Sequence, residues 1–171
     1  MRSRSHYRRM RHGRAFAAAS LCGVVALAVA SPLAAGATSG GKLTAAERAF
    51  ARSYDALVPS LNRASAAIVT AVRGAGKDTD AQVVTVFTAL AKQWASVTRP
   101  LLALTAPGPE AAPFAAVTSR VAPVEADLLA AAQSGRTHNG SAATAAGKKL
   151  VLDFNALGVA VQVLKKRFGL A

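Results

Sequence analysis

Apolar residues recur along the chain at alternating intervals of four and three, in four separate runs. The first is Phe50, Tyr54, Leu57, Leu61, Ala64, Ile68 and Ala71; the second is Val83, Phe87, Leu90, Trp94, Val97, Leu101 and Leu104. The third is Phe114, Val117, Val121, Val124, Leu128 and Ala131, and the fourth is Leu150, Phe154, Leu157, Val161, Leu164 and Phe168. An average step of about 3.5 residues keeps side chains on one stripe of a helix, the stripe along which helices pack. None of the 26 positions is polar, although only 52% of the chain is hydrophobic, and every aromatic residue beyond position 37 lies on one of the runs.

The breaks between runs carry helix-ending and helix-starting residues. Gly74-Ala75-Gly76 offers a left-handed stop and Asp78-Thr79-Asp80 offers caps for the next start. Pro107-Gly108-Pro109 ends the second run, and Glu110 falls at the positive end of the third helix. Ser134-Gly135 and Asn139-Gly140-Ser141 bracket the last connection. The pattern predicts helices near 43–73, 80–104, 110–133 and 141–168. Connections this short place successive helices antiparallel, so the expected fold is an all-α, up-down-up-down four-helix bundle forming a single domain over 38–171.

Pro59, Pro100 and Pro123 fall inside three of these helices, where a proline costs about 3 kcal/mol and bends the axis. With the apolar stripe taken as heptad positions a and d, they occupy f, g and c, all off the core, and the spacing continues through each. Proline-kinked helices are therefore expected rather than broken ones. A functional corollary is that Pro59 and Pro123 bow the bundle and open a cavity for an apolar or lipid-like ligand.

Ahead of the bundle, residues 1–37 have the layout of a cleavable secretory signal peptide. Arg2, Arg4, Arg8, Arg9, Arg11 and Arg14 form a basic start, Ala15–Ala30 is uncharged and apolar, and Ala28-Val29-Ala30 and Ala35-Gly36-Ala37 are small-x-small exits. The run to Ala30 has 16 residues, short of the roughly 20 needed to span a bilayer, which favours cleavage over a retained signal anchor. Arg11 and Arg14 separate Arg8-Arg9 from the apolar run, which favours general secretion over twin-arginine export. Cys22 lies in mid-run after Leu21, not at the end after a small residue, so lipidation is not expected.

Cleavage after Ala37 changes the chemistry that remains. It removes both methionines, the single cysteine and two of three histidines, and lowers the net charge from +13 to +7, with 15 basic against 8 acidic residues left. An exported chain without cysteine must be held together by burial alone. In composition and signal, though in no motif, it resembles the small alanine-rich exported bacterial proteins of high-GC actinobacteria.

Candidate chemistry is sparse. His138 is the one histidine left and falls in a loop, so converging metal or haem ligands are not expected, and no cofactor is implied. Ser53, Ser60, Ser65, Ser96 and Ser119 have no base in register, and Glu125 and Asp127, two apart, point in divergent directions on a helix. No glycine-rich phosphate loop is present, and Asn139-Gly140-Ser141 matches the glycosylation sequon. Aromatic residues committed to the core leave no stacking platform for nucleic acid.

Basic residues are what remains. Lys148, Lys149, Lys165, Lys166 and Arg167 lie on the fourth helix, the last three complementing its dipole, with Arg48, Arg52, Arg63 and Arg73 scattered on the first. The sequence thus points to a secreted, non-enzymatic bundle. It would bind a protein partner, an anionic cell-envelope polymer or lipid head groups through this basic face. The carrier of an apolar ligand is the alternative.

Overall fold

The computed structural model describes residues 43–168, and every regular element among them is helical. Residues 1–37, expected from the sequence to be a signal peptide, lie outside the described residues. Helix α1 spans Ala45–Gly74, α2 Asp80–Leu102, α3 Ala111–Thr118, α4 Val121–Arg136 and α5 Gly140–Arg167. Four of these pack as the long members, α2 against α1 and α4, and α4 against α5, while the short α3 lies on α5.

Local chemistry sets the starts. Thr44 and Glu47 form a reciprocal capping box at α1, and Arg48 reaches back to the carbonyl of Leu43. The two bonds from Thr44 hold the Glu47 carboxyl below its usual pKa. Thr79 and Gln82 repeat the box at α2, so Thr79, rather than either neighbouring aspartate, is the cap. Each box satisfies two backbone donors that the first turn leaves without partners.

The expected stop at Gly74-Ala75-Gly76 takes a different form. Gly74 and Ala75 are right-handed, with φ of −80° and −54°, and the chain tightens into a 3-10 turn over Ala75–Lys77. The left-handed turn occurs instead at His138, the one non-glycine residue with positive φ among those described, at 52°. There Asn139 N donates to Ser134 O and His138 N to Gly135 O, the paired bonds of a Schellman ending. Asn139 then caps α5 through Ala142 N, so α4 passes into α5 almost without a loop.

The third predicted helix is corrected in a more informative way. It is two helices, α3 and α4, parted at Ser119-Arg120, and α4 continues to Arg136. Pro123 has no N–H for the carbonyl of Ser119, and its ring would crowd that carbonyl in a continuous helix. The chain breaks there, and Pro123 becomes the third residue of α4, as Pro113 is the third of α3. In a first turn the missing donor costs nothing. Thr118 and Ser119 hydroxyls close the end of α3 by donating to Ala115 O and Ala116 O. Pro59 and Pro100, by contrast, remain inside continuous helices with their rings exposed.

The predicted stripes are the core. Of the 26 stripe positions 21 are buried, and the other five (Leu57, Leu61, Ala71, Val97 and Leu104) pack half-buried against them. Phe50 meets Phe114 edge-on at 5.0 Å and Phe168 in a stack at 5.8 Å, while Trp94 and Phe154 lie 6.1 Å apart. Such pairs add about 0.5–1.5 kcal/mol each beyond simple burial. The Trp94 indole Nε1–H donates to Val121 O at 3.1 Å, pinning the start of α4 to α2.

Candidate functional site

Helix α5 buries Leu150, Phe154, Leu157, Val161 and Leu164 against the bundle and turns its opposite side to solvent. Lys148 and Lys166 lie on that outer side, Lys149 and Arg167, also exposed, on one flank, and Lys165 half-buried on the other. The five basic residues singled out in the sequence therefore share a helix but form two clusters, one near each end, separated by about 24 Å at the helical rise of 1.5 Å per residue.

Their charges are not equivalent. Lys149 Nζ donates to Asp127 Oδ1 at 2.8 Å and to Asp153 Oδ2 at 2.7 Å, so it is enclosed by two carboxylates, which raise its pKa. Lys148, Lys165, Lys166 and Arg167 form no ion pair with any described residue. The free positive charge of α5 resides on these four.

Asp127 is the unusual member of the triad. Its side chain is 4% exposed, and Oδ2 accepts no hydrogen bond from a described residue. Burial, with the neighbouring Asp153 carboxylate adding to it, pushes its pKa up against the pull of Lys149. Asp153, which is far less buried, is held low by its bond to Lys149. Position 127 is three beyond Val124 and four before Ala131, both core residues, so its placement on the buried side of α4 is a consequence of helical spacing.

His138 is exposed as expected, yet it is not a loose loop side chain. Its Nδ1 lies 2.6 Å from Asp80 Oδ2, tying the α4–α5 turn to the start of α2. No three His, Cys, Asp or Glu side chains converge as metal ligands among the described residues.

Between α1, α2 and α5 lies a cavity of about 30 Å³, lined among others by Tyr54, Asn62, Ser65, Trp94 and Thr98. This is room for no more than a water-sized molecule, in a lining that is mostly apolar, Val58, Leu101, Val117 and Leu157 among it. An acyl chain would fit only if the helices separated. The Thr98 hydroxyl is turned back onto Trp94 O at 2.8 Å, and Tyr54 is buried deeply enough to push its pKa up to about 12.

Compared with protein-family models, curated proteins and solved structures, the chain matches none. Fold and site together define a class by architecture alone: the described residues form four long packed helices, the last of which carries cations that pair with no described residue.

Proposed function

We propose that the chain is an exported, non-enzymatic helical bundle that binds an anionic component of the cell envelope through the outer face of α5. The observation that carries this reading is the set Lys148, Lys165, Lys166 and Arg167, none of them answered by a described carboxylate. No helix among the described residues is long and apolar enough to cross a membrane, so attachment would be peripheral unless residues 1–37 are retained as an anchor. The proposed course of the four long helices is up, down, up and down. Supporting it, Phe50, Phe114 and Phe168 meet near one end, while Asp80 and His138 meet elsewhere, from the start of α2 and the end of α4.

Long-range attraction of this kind is screened by salt, with a Debye length of about 10 Å at 0.1 M and 3 Å at 1 M. Protein applied to isolated cell walls should therefore be retained at low ionic strength and released toward ~1 M salt. The variant K148E/K166E/R167E should be retained poorly throughout. Retention that ignores both salt and charge reversal would remove the basis for this reading. N-terminal sequencing of exported protein tests the cleavage expected after Ala37.

A further inference from the structure

The described residues leave five large apolar side chains exposed, and three of them, Leu152, Val159 and Val163, belong to α5. Isolated surface leucines and valines need no explanation, but these are aligned. Steps of seven and four residues bring them within about 40° of one another around the helix. Their exposures are 67%, 66% and 49%, on the side opposite the buried stripe of the same helix. Lys148 lies one turn before Leu152, and Lys166 and Arg167 lie one turn after Val163. The outer face of α5 is thus an apolar strip capped by cations at each end, about 27 Å long from Lys148 to Lys166 at the helical rise.

We infer that this face seats the protein on the surface of an anionic lipid bilayer, with Leu152, Val159 and Val163 entering the interface and Lys148, Lys166 and Arg167 contacting lipid phosphates. The inference rests on the basic-face reading above and narrows its partner. A hydrated polyanion would answer the cations but leave the apolar strip in water. A second copy of the chain would cover the strip but bring like charges together at both ends, in parallel or antiparallel pairing. A bilayer surface offers anionic head groups directly over hydrocarbon, which is the arrangement an interfacial amphipathic helix matches.

The test places an indole on the strip in the full chain, as Val159→Trp, and follows its emission with vesicles of phosphatidylglycerol and phosphatidylcholine. Because the readout is local to position 159, binding through the apolar run Ala15–Ala30 does not produce it, and Trp94 is buried at the bundle centre. The expected result is a shift to shorter wavelength and quenching by brominated lipid. Both should be absent with phosphatidylcholine alone, and half-saturation should need at least tenfold more lipid after Leu152→Ser with Val163→Ser. Circular dichroism confirms that these surface variants keep their helices. An unchanged emission from position 159, with salt-sensitive retention on cell walls intact, overturns the membrane assignment and leaves the basic face standing. A shift that occurs without lipid and tracks dimerisation in sedimentation assigns the strip to a second copy and overturns it equally. Absence of both vesicle and cell-wall binding removes both readings.

Discussion

Gly135 of α4 lies so close to Asp80 at the start of α2 that a Cβ at position 135 would sit 2.9 Å from the Asp80 carbonyl oxygen. The same carbon would lie 3.0 Å from a methyl of Val84. The residue is buried inside a helix, where alanine is intrinsically favoured by up to ~1 kcal/mol, so its presence is explained by close approach rather than by local preference. Gly135→Ala should destabilise the protein by roughly 1–3 kcal/mol, as overpacking against backbone does. Gly147 supplies the contrast, since a Cβ there meets nothing within 4 Å. Gly147→Ala, inside α5, should be neutral or stabilising by up to ~1 kcal/mol. Urea unfolding of both variants checks the pair, and a stabilised Gly135→Ala would contradict the packing described.

The carboxylates on either side of Lys149 should respond to acid in opposite senses. Asp127 has its folded pKa raised, chiefly by burial, so the folded state holds its proton more tightly than the unfolded chain. Its contribution is fully present below the unfolded value near 3.8 and is lost as pH rises through the folded pKa. Asp153 has its folded pKa lowered by Lys149, so its contribution is present above 3.8 and is lost as pH falls through the folded pKa. The stability of wild type relative to Asp127→Asn should therefore increase as the solution is acidified from neutrality toward pH 3.8. Relative to Asp153→Asn it should decrease on further acidification. Urea midpoints across pH 3–7 measure both differences, and parallel curves would show that the two groups are not separated in this way.

The packing stripes were legible because burial dictates them: a residue such as Val124 or Leu157 must be apolar wherever the helix faces its neighbours, whatever the loops do. The break at Ser119-Arg120 was hidden by that same regularity. Phe114, Val117, Val121 and Val124 keep their spacing across it, so the stripe reads as one helix. The usable signal was local, with Pro113 and Pro123 each set three residues into a helix. Gly135 was misread as a terminator because a glycine needed for contact and one needed for a turn look alike until the packing partner is known, here the Asp80 backbone at the start of α2. The five basic residues were legible as two groups on one helix, but not the difference between Lys149 and the others. Asp127 lies 22 residues away from Lys149, and nothing local announces the pairing. The apolar outer strip of α5 was overlooked for a simpler reason. Attention to the buried spacing passes over residues that repeat at similar intervals on the opposite side.

Tyr54 should make the bundle sensitive to alkali. Burial raises the folded pKa of its phenol from 10.0 to about 12. The unfolded chain therefore ionises first, and stability present below pH 10 is lost as pH rises toward 12. At about 1.4 kcal/mol per pH unit of displacement, the loss is roughly 2–3 kcal/mol. Lys149, whose pKa is also raised, acts in the same direction, so the comparison with Tyr54→Phe isolates the phenol. The variant should lack most of the decline between pH 10 and 12. Absorbance near the phenolate band offers a second check, with Tyr54 titrating late in the folded protein and normally in denaturant.

His138 makes two separable contributions, a side-chain contact to Asp80 and a backbone turn at φ 52°. Left-handed backbone costs an L-residue roughly 1–2 kcal/mol, and glycine adopts it freely. Both His138→Ala and His138→Gly lose the 2.6 Å contact, so the difference between them reports the backbone alone. His138→Gly should be the more stable of the two by about 1 kcal/mol, the usual preference for glycine at the end of a Schellman turn less its greater freedom when unfolded. Asp80→Ala measures the side-chain part, and in the His138→Gly background it should cost less than in wild type because its partner is already gone. Thermal and urea unfolding of the four variants completes the cycle. If alanine and glycine at position 138 prove equally stable, the turn is not held left-handed in solution and α4 must end by another route.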